Sequence, residues 1–285
     1  MRFLRLCSLF VVLAIIAPWQ VPAQESASRA GRLARILSSG EIRVGLQKNF
    51  QPFHIDGARK DHPGLDVEIA RTLGKALGVR VRFEFLPLQG LLTGVALGSI
   101  DVALGGMSSN LERARSVRFA RPYMITSAGG LLDRRSLPAE SESIDFPRRN
   151  FDGLSDLRYL GKLKIGVRTG TSNRLMLKLD PFFKKHDIVE AKTRESLLAL
   201  LKNGSIDLLV ADRPYLKALL MREPGLKSRF IFLHDTYREE HLSPAVPPGD
   251  AEFLLYIDFF IKELERSGDL DRLRGKYFED DDWIP

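Results

Sequence analysis

Two short segments carry residue types that could bind a small charged molecule, and the first is residues 105–113. It reads Gly-Gly-Met-Ser-Ser-Asn-Leu-Glu-Arg and follows a short apolar run. Paired glycines let a backbone approach a ligand closely, Ser108 can donate or accept a hydrogen bond, and Arg113 presents a planar guanidinium that matches a carboxylate. Alternatively, the glycines form a plain turn, Ser108 caps a helix and Arg113 is a surface cation. Taken together at the end of a strand, these residues favour a binding site.

The second segment supplies the opposite charge. Asp212 follows another apolar run, and its carboxylate suits an ammonium group, although it could instead cap the next helix. Residues 168–173 form a hydroxyl-rich turn whose amides could attract an anion or could simply begin a helix. Phe50 is either a pocket wall or a core residue, and Leu88 could close the other side. A zwitterion needs a cation for one end and an anion for the other, which Arg113 and Asp212 provide.

A repeated sequence indicates the elements that position these residues. The tetrapeptide Gly-Ser-Ile-Asp occupies residues 98–101 and 204–207, and each copy lies between a leucine-rich helical pattern and a short apolar run. A strand pattern with an internal glycine precedes each unit, at residues 43–46 and 164–167. Strands that alternate with helices predict mostly parallel sheets. The chain is therefore predicted to form two α/β units of similar plan, with the candidate site in a cleft between them.

The remaining segments suggest how the two units are joined. Asp250 is a plausible N-cap for a long amphipathic helix, and a shorter helix follows Gly268. If these helices return to the first unit, the chain crosses twice between units, and residues 123–127 and 236–242 are the paired hinge connections. Residues 134–160 are rich in Ser, Pro, Glu and Arg without a clean period, which predicts a surface insertion in the second unit.

The N-terminal segment is predicted to be a signal peptide. Two arginines precede an apolar run at residues 6–17, and small residues at 21–23 suit cleavage before Gln24. The run is short for a membrane-spanning helix, and an uncleaved membrane anchor is the alternative. Cys7, the only cysteine, lies inside this segment, so the mature chain should have no disulfide and no cysteine-based metal site. Export without cysteines indicates a bacterial periplasm.

Composition argues against several classes of partner. The formal net charge is +7, but the basic residues are scattered, with no basic helix and no aromatic–basic interleaving, so nucleic-acid binding is not expected. The five histidines show no metal-ligand spacing. Neither a metal nor another cofactor is therefore expected.

An ordered set of segments resembles the family 3 periplasmic solute-binding proteins, the polar amino-acid receptors of ABC importers. No single segment is specific, but the order of all of them is. The matching segments are GEIRVGL (40–46), GLDVEIARTLGKALGV (64–79), LQGLLTGVALGSIDVALGGMSSNLERARSVRFARPY (88–123), KIGVRTGTSN (164–173), NGSIDLLVADRP (203–214) and SGDLDRLRGKYF (267–278).

The resemblance implies a fold and a domain plan. The fold is the two-lobed periplasmic-binding-protein fold of type II, in which each lobe is a mostly parallel sheet flanked by helices and a two-segment hinge joins the lobes. We place the signal peptide at residues 1–23, lobe 1 at residues 24–126 plus 241–285, and lobe 2 at residues 127–240.

The resemblance also implies ligand contacts. The arginine that matches Arg113 holds the α-carboxylate of an amino acid, with a nearby hydroxyl and the amides of a helix start. A carbonyl that matches Gly106 and the carboxylate that matches Asp212 hold the α-ammonium group, and an aromatic ring and a leucine flank the side chain. The implied ligand-binding residues are Phe50, Leu88, Gly106, Ser108, Arg113, Thr171, Ser172 and Asp212.

The chain departs from the family pattern at informative positions. Ser108 and Asn110 replace the usual threonines of the lobe 1 motif, and the acidic residue that receptors of basic amino acids carry near Gln47 is missing. Gln47 and Arg168 are predicted to line the pocket for the ligand's side chain. An arginine there suits a polar or acidic side chain, and the missing acidic residue argues against a strictly cationic ligand.

The predicted function is a monomeric periplasmic receptor that closes around a small amino acid and delivers it to the permease of an ABC importer in the inner membrane. An enzyme of the cyclohexadienyl dehydratase type, which resembles the same family, is one alternative. Such enzymes carry a catalytic glutamate three residues after the aspartate that matches Asp212, and this chain has Tyr215 there. The remaining candidate acids, which no spacing pairs, are His54, Glu239, Glu240 and His241. No enzymatic activity is therefore expected, and a ligand-sensing module is the other alternative.

Overall fold

The computed structural model describes residues 31–57, 63–138 and 150–278. The predicted signal peptide and the middle of the predicted insertion lie outside these residues. The strands are β1 (Glu41–Leu46), β2 (Arg80–Phe85), β3 (Val102–Ala103), β4 (Arg118–Phe119), β5 (Met124–Asp133), β6 (Lys164–Arg168), β7 (Asp187–Ala191), β8 (Leu208–Asp212), β9 (Phe230–Leu233), β10 (Glu239–Leu242) and β11 (Ala245–Val246). The α-helices are α1 (Arg32–Ser39), α2 (Leu65–Leu77), α3 (Leu88–Ala96), α4 (Ser172–Leu179), α5 (Arg194–Lys202), α6 (Arg213–Arg222), α7 (Leu226–Arg229), α8 (Ala251–Arg266) and α9 (Asp269–Phe278).

The strands form two sheets, one for each predicted α/β unit. The first has the order β2-β1-β3-β11-β4, in which β1 pairs parallel with β2 and β3. The second has the order β10-β5-β8-β6-β7, with β9 also paired to β5, and β6 pairs parallel with β7 and β8. In each lobe a parallel core is extended by antiparallel strands from elsewhere in the chain, as the alternation of strands and helices predicts.

The helices of lobe 1 follow the predicted amphipathic pattern. Asp250 caps α8, since its side chain accepts a hydrogen bond from the backbone N–H of Phe253 at 2.9 Å. The buried residues of α8 pack into one core with those of α2 and β1, and Leu270 and Tyr277 of α9 join the same core. The C-terminal helices therefore pack on lobe 1.

The repeated tetrapeptide makes the same packing contact in both lobes. Ile100 packs against Gly45 in β1, where an added Cβ would lie 2.9 Å from its Cδ1 atom. Ile206 packs against Gly166 in β6, where the corresponding distance is 2.3 Å. Each strand glycine is therefore needed to let the isoleucine of the next repeat approach the sheet.

The hinge strands also occupy the predicted segments. Residues Glu239–Leu242 of β10 pair antiparallel with Met124–Ser127 of β5, so the two crossings between lobes lie side by side. The residue boundaries that we assign to the lobes stay a prediction.

Residues 150–160 differ from the predicted surface insertion. Leu154, Leu157 and Leu160 are buried in the core on one face of the second sheet. The prediction was wrong for this part because the segment forms a short 3₁₀ helix, Leu154–Tyr159, which has too few leucines to show a helical period.

Within the described residues, no helix combines the length and the apolar character that crossing a membrane requires.

Candidate ligand-binding cleft

Arg113 extends from lobe 1 into the cleft between the lobes. It begins a 3₁₀ turn, is buried, and donates from Nη1 to the carbonyl oxygen of Ser108 at 2.6 Å. Its Nη2 donates to the carbonyl oxygen of Gly170 in lobe 2 at 3.2 Å. Burial lowers the pKa of the guanidinium because it disfavours the charged form. The reading of Arg113 as a surface cation is therefore wrong, and an anion in the cleft would relieve the cost of burying its charge.

Asp212 lies at the end of β8 on the lobe 2 side of the cleft. Its Oδ1 accepts a hydrogen bond from Nδ2 of Asn173 in α4 at 2.9 Å. Although Asp212 immediately precedes α6, its side chain makes no capping hydrogen bond to that helix. The carboxylate is therefore held toward α4, and the alternative reading as a helix cap is wrong.

Buried groups hold the glycine pair that precedes Ser108. The Oδ2 atom of Asp66 accepts from the backbone N–H groups of Gly105 at 2.5 Å and of Gly106 at 2.8 Å. Burial raises the pKa of Asp66 to about 7. Gly106 has a φ of 57°, and an added Cβ would lie 2.6 Å from the ring of Phe50, so only glycine fits here.

The turn before α4 caps that helix, and its Gly170 carbonyl oxygen accepts from Arg113. The hydroxyl of Thr171 accepts from the backbone N–H of Arg174 at 3.2 Å and donates to the carbonyl oxygen of Arg168 at 2.7 Å. The capping alternative is thus correct for the Thr171 side chain. The hydroxyl of Ser172 is buried and has no hydrogen-bond partner within the described part of the chain. Anion binding by the backbone N–H groups at the start of α4 stays a prediction.

Two more arginines converge from lobe 2 on Gln47 and Phe50 of lobe 1. The Oε1 atom of Gln47 accepts from Arg168 at 3.1 Å and from Arg194 at 3.3 Å. The Arg194 guanidinium lies 3.7 Å from the centre of the Phe50 ring, and it also faces the ring of Tyr215 at 5.4 Å. This stacking is a cation–π contact, and it places Phe50 on the wall of the cleft rather than only in the core.

The arginine cluster is electrostatically unbalanced. Burial, together with repulsion by Arg168, lowers the pKa of Arg194 to about 9. Burial also lowers the pKa of Arg168. Within the described residues, neither guanidinium forms an ion pair with a carboxylate. Asp212 contributes favourable electrostatics to both, so an added anion beside them would be stabilised.

The cavity beside these residues is small. It is lined by Arg168, Arg194, Asp212 and Tyr215 among others, and its volume is about 20 Å³. Such a volume holds about one water molecule. An amino acid therefore requires the lobes to separate or the arginine side chains to move.

The structure brings most predicted site residues together and adds others. Gln47, Phe50, Gly106, Ser108, Arg113, Arg168, Thr171 and Asp212 lie on both sides of the cleft, whereas for Ser172 the structure gives only its position at the start of α4. Leu88 begins α3 and packs beside the core around Leu91. Its role as a pocket wall stays a prediction.

Arg194 and Asn173 are site residues that the sequence did not predict, and Glu240 was predicted only as a candidate catalytic acid. Arg194 follows β7, whose carboxyl end lies at the same sheet edge as those of β6 and β8. That edge is where ligands bind in parallel sheets, which is the signal that could have identified it. Glu240 lies 132 residues from its partner Ser108, and no local pattern links the two.

Two α/β lobes with a paired-strand hinge and a polar cleft between them define a periplasmic-binding-protein fold of type II. The chain belongs to the bacterial extracellular solute-binding proteins of family 3, whose pattern matches residues 42–280. The predicted family and fold class are thereby confirmed.

Relatives and solved structures agree with this assignment. A probable histidine-binding protein of Neisseria gonorrhoeae is 23% identical over 261 residues, which cover 90% of this chain and 87% of the relative. A cyclohexadienyl dehydratase of Pseudomonas aeruginosa is 26% identical over 271 residues, with 93% and 91% covered. The binding component of an ABC transporter from Wolinella succinogenes, solved with lysine, superposes with a TM-score of 0.70 at 24% identity, over 86% of this chain and 98% of that one.

Proposed function

We propose that this protein is an extracytoplasmic receptor that captures a small amino acid, with a polar or acidic side chain, and delivers it to an ABC importer. Its localisation would be periplasmic after signal-peptide cleavage, it would act as a monomer, and its partner would be the permease in the inner membrane. The observation that carries the proposal is the placement of Arg113 from lobe 1 and Asp212 from lobe 2 on opposite sides of one cleft.

Complementary charges support a zwitterionic ligand. An α-carboxylate can form charge-assisted hydrogen bonds to Arg113, and an α-ammonium group can form them to Asp212. Because the two residues belong to different lobes, one ligand can bridge them only when the lobes are close together. Ligand binding would therefore shift the population toward the closed form.

The second pair of arginines supports an acidic or polar side chain. Arg168 and Arg194 lie beside Phe50, and the carboxylates of Asp212 and Glu195 stabilise their charges without forming an ion pair with either guanidinium within the described residues. A side-chain carboxylate between these guanidiniums would gain roughly 1.5–3 kcal/mol for each charge-assisted hydrogen bond. A lysine or arginine side chain would be repelled there. The ligands named for several relatives are basic, so this preference separates the present chain from them.

A ligand screen tests the proposal. Thermal-shift measurements with each of the twenty amino acids should show the largest stabilisation with glutamate or aspartate, or with their amides, and calorimetry should give the affinities. Arg194→Gln should weaken binding of the acidic ligand by about 10- to 100-fold, the loss of one charge-assisted hydrogen bond. Arg158→Gln, an exposed position in the same lobe, serves as the control. Tightest binding of lysine or arginine would contradict the side-chain preference.

One observation favours a second candidate function, an eliminase of the dehydratase type. Burial raises the pKa of Glu240 to about 7, so this carboxyl group is partly protonated at neutral pH and could act as a general acid. Tyr215 still replaces the glutamate that such enzymes use. Incubation with prephenate or arogenate, followed by absorbance of phenylpyruvate or detection of phenylalanine, tests this function. Turnover that Glu240→Gln abolishes would establish it, and absence of turnover would leave the receptor function.

A further inference from the structure

Glu240 occupies a position in the cleft that the receptor function does not yet explain. It lies on hinge strand β10, and the hydroxyl of Ser108 in lobe 1 donates a hydrogen bond to its carboxylate. The backbone carbonyl oxygen of Ser108 also accepts a hydrogen bond from the guanidinium of Arg113. The carboxyl group of Glu240 is therefore adjacent to the residues that would hold the ligand's backbone groups.

The register of the sheet places Glu240 beside Asp212. Asp212 pairs with Ala128 of β5, and Glu240 pairs with Thr126 on the other side of the same strand. Residues two apart on a strand share a face, and directly paired residues point to the same side. The Cα atoms of the two acidic residues are thus about 12 Å apart, from two strand spacings and two residue steps. Both side chains can converge on a small group between them.

We propose that Glu240 is a second carboxylate for the ligand's α-ammonium group, shared with Asp212, and that it gives up its proton when the ligand binds. This proposal rests on the proposed function, because it assigns a further residue to the same amino-acid site. It also gives Ser108 a definite role, since a hydroxyl that donates to Glu240 keeps its lone pairs free to accept from the ammonium group.

The electrostatics of the cleft agree with this assignment. The pKa of Glu240 is raised to about 7, because burial and repulsion by Asp212 outweigh the lowering by Ser108, Arg113 and Arg238. These groups act on Glu240 from the residue before β10, from β8 and from lobe 1. A positive ammonium group between two carboxylates reverses their repulsion, so the bound state favours ionised Glu240.

The charge count of the cleft agrees with an acidic ligand as well. The guanidiniums of Arg113, Arg168 and Arg194 and the ligand's ammonium group carry four positive charges. Ionised Asp212 and Glu240 and the two carboxylates of glutamate or aspartate carry four negative charges. A protonated Glu240 would leave this closed site with an excess positive charge, which is costly in a buried environment.

The sign of the proton linkage distinguishes this proposal from its alternative. If free Glu240 is half protonated near pH 7, ligand binding should release about 0.9 proton at pH 6, about 0.5 at pH 7 and about 0.1 at pH 8. Affinity should fall by up to about tenfold for each unit below pH 7. A Glu240 that stays protonated and donates to the ligand's carboxylate would instead produce proton uptake.

Calorimetry with L-glutamate and L-aspartate as probes tests the proposal. Wild type should show binding heats that depend on buffer ionisation enthalpy, in phosphate and in Tris, with the proton release given above. Glu240→Gln should abolish the release, should remove the pH dependence between pH 6 and 8, and should bind about tenfold more weakly at pH 8. Glu239→Gln should behave as wild type, since Glu239 is exposed and contacts His241.

The possible outcomes separate the two proposals. Wild-type binding without proton release, or with proton uptake, overturns the role of Glu240 and leaves the receptor function intact. Unchanged proton release in a Glu240→Gln variant that binds as wild type does the same. A wild type that binds none of the twenty amino acids overturns the proposed function itself and the role of Glu240 with it. Circular dichroism of each variant excludes loss of fold as the cause.

Discussion

The two lobes use the same repeated tetrapeptide as scaffold but surround it differently. In lobe 1 the Asp101 carboxylate accepts from the backbone N–H of Arg43 at 2.9 Å, and in lobe 2 that of Asp207 accepts from Lys164 at 2.7 Å. Among the residues that the structure describes, Asp101 alone of the two also pairs with guanidiniums, those of Arg32, Arg35 and Arg43. In lobe 2 the arginines beside the repeat pair instead with Asp133 of β5.

This difference separates the residues that build a lobe from those that serve the cleft. The backbone contact of the aspartate and the packing of the isoleucine recur in both lobes, so they belong to the scaffold. Counted from the repeat, lobe 1 has Gly106 where lobe 2 has Asp212, and lobe 2 has Leu219 where lobe 1 has Arg113. Two similar scaffolds thus carry different charges at equivalent positions to one site, and the chemistry lies in the segments that differ.

The largest expected effect is the loss of either charge that bridges the lobes. Arg113→Ala should reduce amino-acid affinity by about 10²–10⁴-fold, because it removes two charge-assisted hydrogen bonds. Asp212→Ala should reduce the affinity by a similar factor, since it removes the main carboxylate for the ligand's ammonium group. Isothermal calorimetry with the ligand from the screen measures both.

Matched positions in each lobe control for this prediction. Arg115→Ala changes an exposed arginine two residues from Arg113. Asp207→Asn changes an acidic residue that precedes β8, at the opposite end of that strand from Asp212. Both should bind as wild type. Near-wild-type affinity in Arg113→Ala or Asp212→Ala would contradict the assignment of opposite charges to the two lobes.

The sequence predicted the lobe architecture well because its signals are local. The isoleucine of each repeat, the glycine of each preceding strand and the Asp250 cap lie within single elements or short units. The charges of the cleft were only partly predictable. Arg113 and Asp212 follow strand ends, which marks them, whereas Glu240 meets Ser108 only because the hinge brings distant strands together. The 3₁₀ helix at residues 154–159 was missed because a segment of this length has too few residues to show a helical repeat of its leucines.

The next expected effect concerns the aspartates of the scaffold. Asp101→Asn should destabilise the protein by about 2 kcal/mol at pH 7, because its arginine partners lower the pKa of Asp101 from 3.8 to about 2. A carboxyl group with a lowered folded-state pKa stabilises above its unfolded pKa, and this contribution is lost as pH falls from about 4 to 2. Urea unfolding at pH 7 and at pH 3 measures the change.

The corresponding lobe 2 variants sharpen the comparison of the repeats. Asp207→Asn should cost only about 1 kcal/mol, since it weakens one hydrogen bond to a backbone N–H. Asp133→Asn should cost more than Asp207→Asn because Asp133 is buried and pairs with Arg135 and Arg229. Equal losses of unfolding free energy in Asp101→Asn and Asp207→Asn would show that the arginine partners of Asp101 contribute nothing to stability.

Glycine variants test whether the isoleucine contact is equivalent in the two lobes. Gly45→Ala and Gly166→Ala should each destabilise the protein by about 1–3 kcal/mol, because a Cβ would overlap the side chains packed on the strand. Gly166→Ala should cost more, since its Cβ would lie 2.3 Å from Ile206 whereas that of Gly45 would lie 2.7 Å from Leu91. Gly161→Ala, where an added Cβ meets nothing within 4 Å, is the control.

A second substitution in each variant tests the isoleucine contact itself. Ile206→Val in the Gly166→Ala variant, or Ile100→Val in the Gly45→Ala variant, removes the overlapping Cδ1 atom and should restore part of the lost stability. The restoration should occur in the matching lobe only. If Ile100→Val restored the stability that Gly166→Ala loses, the two repeats would not be independent scaffolds.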